Sequence, residues 1–522
     1  RLKILDLSNN GKQPMEYKDL VIVFNGEIYN YLEIKSELID KGHKFVSDSD
    51  TEVLLHLFSD MGSKCLDKLN GMFAFAIWNK RTKELFMARD RLGIKPLFYS
   101  TCENQMIFSS TFKAINSQVK FNLDHTSVQN FLLYGSVQEP RTLNTKIKSL
   151  EPGHYLTWKD GISEEKRYWN LKFSNNKYSV EKIRDLLESA VRFRLISDVP
   201  LGVFLSGGID SSALALIANK FENIKTFSVA FNEKEYDESE IAQLVADEIG
   251  CEHNRILIKE EDIVEEFEAI ISSMDQPSVD GFNTHIISQV VKKKGITVAL
   301  SGLGSDEIFG GYPFFNSIPI INKISRYTGH MPFATSFGSR RAQKLQLMLM
   351  QGNCIGKLHQ IQRMIMLPKQ VEQVTSREVI LDEPKSNNLS ELEINSYLKN
   401  TLLHDSDRMG MNSSLEIRVP FLDHRLVEYL ASIDSKYKLP GKKMLVDSVK
   451  EMPKEVYRRS KKGFVLPFDV WLKEGLKEYC ETVFSKSTLN CDKTWNDFLK
   501  GKENASCVIA LLVLCEFLIK QI

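Results

Sequence analysis

The chain lacks any excess of charge. Its 68 Lys+Arg are balanced by 68 Asp+Glu in 522 residues, with no basic block. It therefore has no electrostatic footprint for a nucleic acid or another polyanion. Long apolar runs are missing too. The longest, Cys507 to Ile519, carries Glu516 and falls short of the roughly 18 residues a membrane-spanning helix needs. It reads as a terminal core helix, and no membrane association is expected. No signal peptide is visible. Eight cysteines, at positions 65, 102, 251, 354, 480, 491, 507 and 515, contain no C-x-x-C pair and no zinc spacing. That excludes a disulfide framework and a structural zinc, and implies buried thiols in a reducing, cytoplasmic compartment. Internal repeats and low-complexity segments are absent. An initial Met is absent as well. Arg1-Leu-Lys-Ile-Leu-Asp-Leu7 alternates like a strand already under way, so the sequence is expected to lack its natural N-terminus.

The remaining composition, 43% hydrophobic and 26% charged, is that of a globular protein too long for one core, so two or three domains are expected. Residues 1–172 carry short apolar runs separated by turn residues. Leu20–Phe24, Phe73–Trp78, Leu85–Ala88 and Met106–Phe108 read as strands, and Tyr31–Leu38 and Glu52–Phe58 as helices. This predicts an α+β domain with antiparallel sheets. From 178 onward the texture changes. Ser179 is the expected N-cap of a helix carrying Ile183, Leu186, Leu187, Ala190 and Val191. Strands at 201–205, 226–231, 254–258 and 296–300 then alternate with helices at 211–220, 239–249, 261–273 and 284–293. The alternation predicts a parallel, doubly wound sheet, followed beyond residue 312 by a mostly helical region. Ligands of such sheets sit at the carboxyl ends of strands.

The densest chemistry lies in Val199-Pro-Leu-Gly-Val-Phe-Leu-Ser-Gly-Gly-Ile-Asp-Ser-Ser212. A strand ends in Ser206-Gly207-Gly208, and a helix opens through Asp210, Ser211 and Ser212. Glycines let backbone N–H groups approach a phosphate, and the helix N-terminus adds partial positive charge. An ordinary βα turn of small residues is the plainer alternative. No Lys follows the glycines, so this is not the usual NTP-cleaving P-loop. It resembles the pyrophosphate loop of the N-type ATP pyrophosphatases, which cut ATP between the α- and β-phosphates to adenylate a substrate.

A second stretch, Leu300-Ser-Gly-Leu-Gly-Ser-Asp-Glu-Ile-Phe-Gly-Gly-Tyr312, again ends a strand in Ser-Gly and follows it with acids. Adenylation needs a divalent ion on the triphosphate. Asp210 and Asp306, one per loop, are the natural Mg²⁺ ligands. A helix N-cap is the alternative for Asp306, and the two matched loops favour the metal. Val229, on a core strand, is placed to flank the adenine. Developing charge on pyrophosphate calls for a cation. Lys442 is the first candidate, ahead of Lys461 and Lys462, a choice that rests mainly on the family resemblance that follows.

The two loops, with Asp407-Arg-Met-Gly-Met411 and Leu415-Glu-Ile-Arg-Val-Pro-Phe-Leu-Asp423, resemble the synthetase domain of the glutamine-hydrolysing asparagine synthetases. The resemblance implies that ATP and aspartate form β-aspartyl-AMP and that ammonia displaces AMP. It implies ATP contacts at Leu205, Ser206, Val229, Ser301 and Gly302, and a pyrophosphate cradle from Ser206 through Gly207, Gly208, Asp210 and Ser211 to Ser212.

In the first domain, Phe24-Asn-Gly-Glu-Ile-Tyr-Asn30 sets Asn25-Gly26 at a strand end. An amide side chain and a glycine N–H can form an oxyanion hole; Asn-Gly is also the commonest hairpin signal. Ser47-Asp-Ser-Asp-Thr-Glu52 reads either as a helix cap or as a loop presenting Asp50 to a substrate amine. These segments, with Leu69–Ala76 and Arg89–Leu97, resemble the class II, N-terminal-nucleophile glutaminase domain of the same family, with its αββα layers. The resemblance implies glutamine binding by Arg1, Asn25, Gly26, Glu27 and Asp50, with Asn25 and Gly26 as oxyanion donors, and an ammonia tunnel between the domains. It leaves a homodimer open.

Two departures stand out. The family's nucleophilic N-terminal Cys is not in this sequence, which puts glutaminase activity of this form in doubt. Leu303 stands where the family typically carries a Glu that assists acyl-adenylate formation, and Leu cannot move a proton. The leading reading is a glutamine- or ammonia-dependent asparagine synthetase using ATP and Mg²⁺. The alternatives are the same machinery on another carboxylate, such as a sugar acid, or a non-catalytic glutamine or nucleotide sensor.

Overall fold

The computed structural model describes residues 3–102, 104–231, 239–328, 340–350, 354–438, 440–458 and 466–521. Arg1, Lys461 and Lys462 lie outside them.

Among its described residues the N-terminal half builds nine strands: β1 (Met15–Tyr17), β2 (Leu20–Ile28), β3 (Gly71–Asn79), β4 (Glu84–Arg89), β5 (Phe98–Cys102), β6 (Gln105–Ser109), β7 (Lys148–Ser149), β8 (His154–Lys159) and β9 (Ile162–Arg167). They form an antiparallel six-stranded sheet in the order β1-β2-β3-β4-β8-β9 and a small sheet β6-β5-β7. Period-two alternation decides which sheet face meets what. Ile22, Phe24, Phe73 and Phe75 face the helices Tyr31–Asp40 and Asp50–Met61 and pack on Ile34, Leu38, Val53, Leu54 and Leu57. Ala74, Ala76, Met87 and Leu156 face the other way, onto Leu97, Tyr99 and Leu150 between the two sheets. A helix layer on one sheet and a second sheet beneath it are the expected layered α+β arrangement.

Two local expectations fail. Residues 3–7 form no strand, although Ile4 and Leu5 are buried; Asp198 holds the segment instead, its N donating to Ile4 O at 3.1 Å and its Oδ2 accepting from Asp6 N at 3.0 Å. Asn25-Gly26, expected at a strand end with a hairpin turn as the alternative, lies inside β2, which continues through it to Ile28 in register with Ala74 and Phe73. The cysteines are all free, but Cys102 is exposed rather than buried.

The second half is organised on a five-stranded, all-parallel sheet: β10 (Leu201–Phe204), β11 (Lys225–Phe231), β12 (Glu252–Ile258), β13 (Val298–Leu300) and β14 (Glu416–Arg418). Its order, β12-β11-β10-β13-β14, reverses between β10 and β13. A crevice opens at such a switch point, outside the carboxyl ends of the strands. Both small-residue loops leave those two strands. Beyond residue 312 the regular structure of the described chain is helical apart from β14. The helix Ala505–Ile519 is buried on nearly every residue from Ala505 to Leu518. A helix apolar all round belongs inside a core, and among the described residues no helix is long and apolar enough to cross a membrane.

Candidate active site at the strand-end loops and the domain junction

At the first loop, Leu205 is fully buried and its N donates to Phe227 O at 2.8 Å, extending the β10–β11 ladder by one bond. The chain then turns through Gly207 at φ 74°. A Cβ there would lie 2.9 Å from Ala242 N, so a glycine is required on both counts. Gly208 caps the helix Ile209–Ala218. Ser211 stitches the turn: its Oγ accepts from Ser206 N at 3.1 Å and donates to Gly208 O at 3.2 Å. Ser212 Oγ is buried with no hydrogen-bond partner among the described residues. Val229 lies on the adjacent strand β11, 9% exposed.

The second loop comes within touching distance of the first. A Cβ on Gly302 would meet Asp210 Cβ at 3.0 Å and Ser211 N at 3.3 Å. Ser301 N is tied to Arg418 O of β14 at 2.9 Å. The helix Ser305–Phe309 follows, capped by Gly304, so Asp306 lies inside its first turn and is not the N-cap.

The two loops are joined by Lys442, arriving from 232 residues beyond Asp210. Its buried Nζ lies 2.5 Å from Asp210 Oδ1 and 2.6 Å from Asp306 Oδ1. Ser305 Oγ donates to the same Asp210 oxygen at 2.7 Å. Burial alone would push the ammonium down; the charges of Asp210 and Asp306 outweigh it and hold Lys442 above the usual lysine value. The fit is tight. Lys442 adopts φ 49°, in the left-handed region. A Cβ on Gly311 would fall 1.9 Å from Asp306 Oδ1 and 2.2 Å from Lys442 Cε. Gly311 escaped sequence reasoning, and the only hint was its place in a Gly-Gly pair.

Glu307, next to Asp306, has a different fate. Its carboxyl accepts from Tyr312 OH at 2.6 Å. Burial, then the charges of Asp306 and Glu393, raise it to about 7. Glu393 is held by Arg363, whose Nε donates to it at 2.8 Å, and by His359. The Arg363 guanidinium lies 4.5 Å from the Tyr312 ring centre and 4.0 Å from that of Tyr397. Leu303 is partly buried and packs on the apolar core of this half. The loop thus carries apolar bulk at 303 and a proton-holding carboxyl at 307.

In the N-terminal half, Asn25, Gly26 and Glu27 lie consecutively on β2. Gly26, at φ 140°, is dictated by packing: a Cβ would fall 2.0 Å from Met72 O on β3. Ser49 caps the helix Asp50–Met61, accepting from Thr51 N, while Asp50 turns to β2 and its Oδ2 accepts from Ile28 N at 2.9 Å. The structure therefore gathers Asn25, Gly26, Glu27 and Asp50 around the end of one strand.

That strand end adjoins the parallel sheet. Glu27 Oε2 lies 3.7 Å from Arg418 Nη2 of β14, and Arg418 Nε donates to Glu416 Oε1 at 2.8 Å. Asp423, fully buried, accepts from Asn70 Nδ2 at 3.1 Å, from Arg194 Nη1 at 2.7 Å and from Arg425 at 2.9 Å. Burial would raise its carboxyl, but Arg194 and Arg425 hold it far below the usual range. The buried Lys95 Nζ meets Asp407 Oδ1 at 2.8 Å, with the Asp407 side chain 9% exposed. Beside the Lys95–Asp407 pair lies a cavity of about 400 Å³ whose walls include Asn25, Ala74 and Ala76 from the first half and His404, Asp407 and Met411 from the second. Among the described residues no cluster of three or more His, Cys, Asp or Glu could hold a metal on its own.

These features define a class: a layered glutaminase-like α+β domain joined to an α/β ATP pyrophosphatase domain with a helical C-terminal part. Residues 182–499 match the family model for asparagine synthase, and residues 1–169 that for a glutamine amidotransferase domain. The chain is 34% identical over 521 residues to the glutamine-hydrolyzing asparagine synthetase 1 of Bacillus subtilis (strain 168), covering 93% of this chain and 82% of that protein. Asparagine synthetase 3 of the same strain is 32% identical over 524 residues, with the same coverage. A Gibberella zeae protein named amidase chry2 is 29% identical over 547 residues, covering 90% and 81%. The chain belongs to the asparagine synthase family.

Proposed function

We propose that the chain makes asparagine from aspartate and ATP, with glutamine or ammonia as nitrogen donor, through an acyl-adenylate and with release of AMP and pyrophosphate. One observation carries the reading: Lys442 held between Asp210 and Asp306 where the two strand-end loops meet. A buried ammonium whose charged form two carboxylates favour, beside a phosphate cradle, stabilises the charge that develops on pyrophosphate as the α–β bond breaks. The loop backbone from Ser206 to Gly208 and the N-terminus of the helix Ile209–Ala218, with Ser211 and Ser212, cradle the leaving group. Leu205, Val229, Ser301 and Gly302 line the nucleotide.

Asp210 and Asp306 suit Mg²⁺, which takes one or two carboxylates and completes its shell with phosphate oxygens and water. The same two carboxylates engage Lys442 Nζ at 2.5 and 2.6 Å, so the ion would be held by their remaining lone pairs beside the lysine and would neutralise the triphosphate. In the glutaminase unit, residues 1–172, the proposal assigns Arg1, Asn25, Gly26, Glu27 and Asp50 to glutamine. The cavity reaching from Asn25 to the helix His404–Asn412 offers ammonia a path toward the synthetase unit, residues 178–522. The proposal extends to a cytoplasmic homodimer.

Leu303 favours a second reading, the same chemistry on another carboxylate. ATP–pyrophosphate exchange with Mg²⁺ and ammonium, run with aspartate and with a panel of other acids, separates the two. Exchange and asparagine formation driven by aspartate are expected. Exchange driven only by another acid would sink the aspartate assignment.

A further inference from the structure

A second cavity, of about 830 Å³, lies among the helices Phe314–Thr328, Arg340–Met350 and Ile355–Arg363 and the turn at Gly501–Asn504. None of its lining residues belongs to the strand-end loops. Its charged walls are Arg340, Arg341, Lys344 and Lys502, and no lining residue is acidic. Arg340 Nη1 is engaged by Glu503, but Nη2 is buried with no hydrogen-bond partner among the described residues. Lys344 Nζ donates to a backbone carbonyl, Gln362 O, at 3.0 Å, and faces no carboxylate within ion-pair reach among the described residues. Burial and the charge of Arg340 lower its ammonium to about 8. Arg340 and Lys344 are partly buried, and Lys344 has no counter-ion among the described residues; withdrawing such a charge from water is costly, and an anion would relieve the cost. Ile321, Leu345 and Met348 supply an apolar wall beside them. The volume falls within the roughly 300–1,000 Å³ of small-molecule sites.

We propose that this cavity is a binding site for a small phosphorylated metabolite. Its phosphate is taken by Arg340, Arg341, Lys344 and Lys502, and its organic part by the apolar wall. Guanidinium forks match phosphate oxygens bidentately, and four cations favour a multiply charged group over a single carboxylate.

The test is calorimetric titration of inorganic pyrophosphate into the full chain carrying Lys442→Ala, which removes the cation of the synthetase loops. One binding site is expected to remain. Arg341 and Lys502 are exposed, so Arg341→Gln and Lys502→Gln leave the fold intact. Each, added to Lys442→Ala, is expected to weaken that site about tenfold. Arg341→Gln alone leaves ATP–pyrophosphate exchange unchanged. No heat with Lys442→Ala would overturn the proposal. So would binding that ignores both Arg341→Gln and Lys502→Gln.

Discussion

The N-terminal half assembles its candidate residues locally: Asn25, Gly26 and Glu27 are consecutive on β2, and Asp50 reaches the next amide of that strand. The C-terminal half draws Asp210, Asp306 and Lys442 from three distant segments onto one point. A local site inherits its geometry from strand register and tolerates distant change. A convergent site depends on every element that brings its parts together, and like charges at its centre repel as soon as one part is removed.

The largest effect should follow from breaking the convergence directly. Lys442→Met leaves Asp210 and Asp306 facing each other without their cation, and ATP–pyrophosphate exchange should fall about 100- to 1,000-fold with the fold retained by circular dichroism. A loss below about tenfold would mean that the lysine is structural. Gly311→Ala tests the same point through shape alone. Its methyl must displace the Asp306–Lys442 pair, and a shift of about 1 Å at a reacting centre costs about 100-fold. Unchanged exchange would show that the pair is free to move.

Asp423→Ala attacks the junction instead of either site. It strips Arg194 of its carboxylate, and removing one partner of a buried pair costs about 3–5 kcal/mol. The depressed Asp423 carboxyl also sets a sign. Its stabilisation is present above the ordinary carboxylate value and is lost as pH falls through that value toward the depressed folded one. The variant should therefore lose its Tm deficit in acid, and a deficit independent of pH would reject the ion pair. Glu307 carries the opposite sign. With its folded value raised to about 7, ionising it costs stability as pH rises from about 4.5 to 7. The Tm of Glu307→Gln should therefore rise relative to the parent between pH 5 and 8, by the equivalent of a few kcal/mol at most. The smallest effect belongs to the local site. Asn25→Ala should leave ammonium-driven synthesis within about twofold of the parent, because well-separated sites act independently.

The sequence and the structure part company where contacts are long-range. Helix and strand periodicity located β2, β3, β4 and β6 of the first half, and β10 to β13 of the parallel sheet with the helices between them. The fifth strand, β14, is three residues long and follows a largely helical stretch of the described chain, so no period could betray it. Its partner β13 and the ladder bond from Ser301 create it. The Asn25-Gly26 pair looked like a turn because local preference favours one, but pairing of β2 with β3 overrides that preference. The alternating start at residues 3–7 has no strand to pair with and stays irregular.

By itself the sequence determined the chemistry on offer: two Ser-Gly strand ends followed by acids, an Asn-Gly on a strand, a neutral overall charge and no spanning helix. These are properties of short segments, set by backbone sterics and by the spacing of side chains. Only the tertiary structure decided which acid does what. Asp306 and Glu307 are neighbours in the chain, yet a helical turn sends one to Lys442 and the other to Tyr312. Coulomb energy and desolvation depend on distance in space, and that distance is settled by packing.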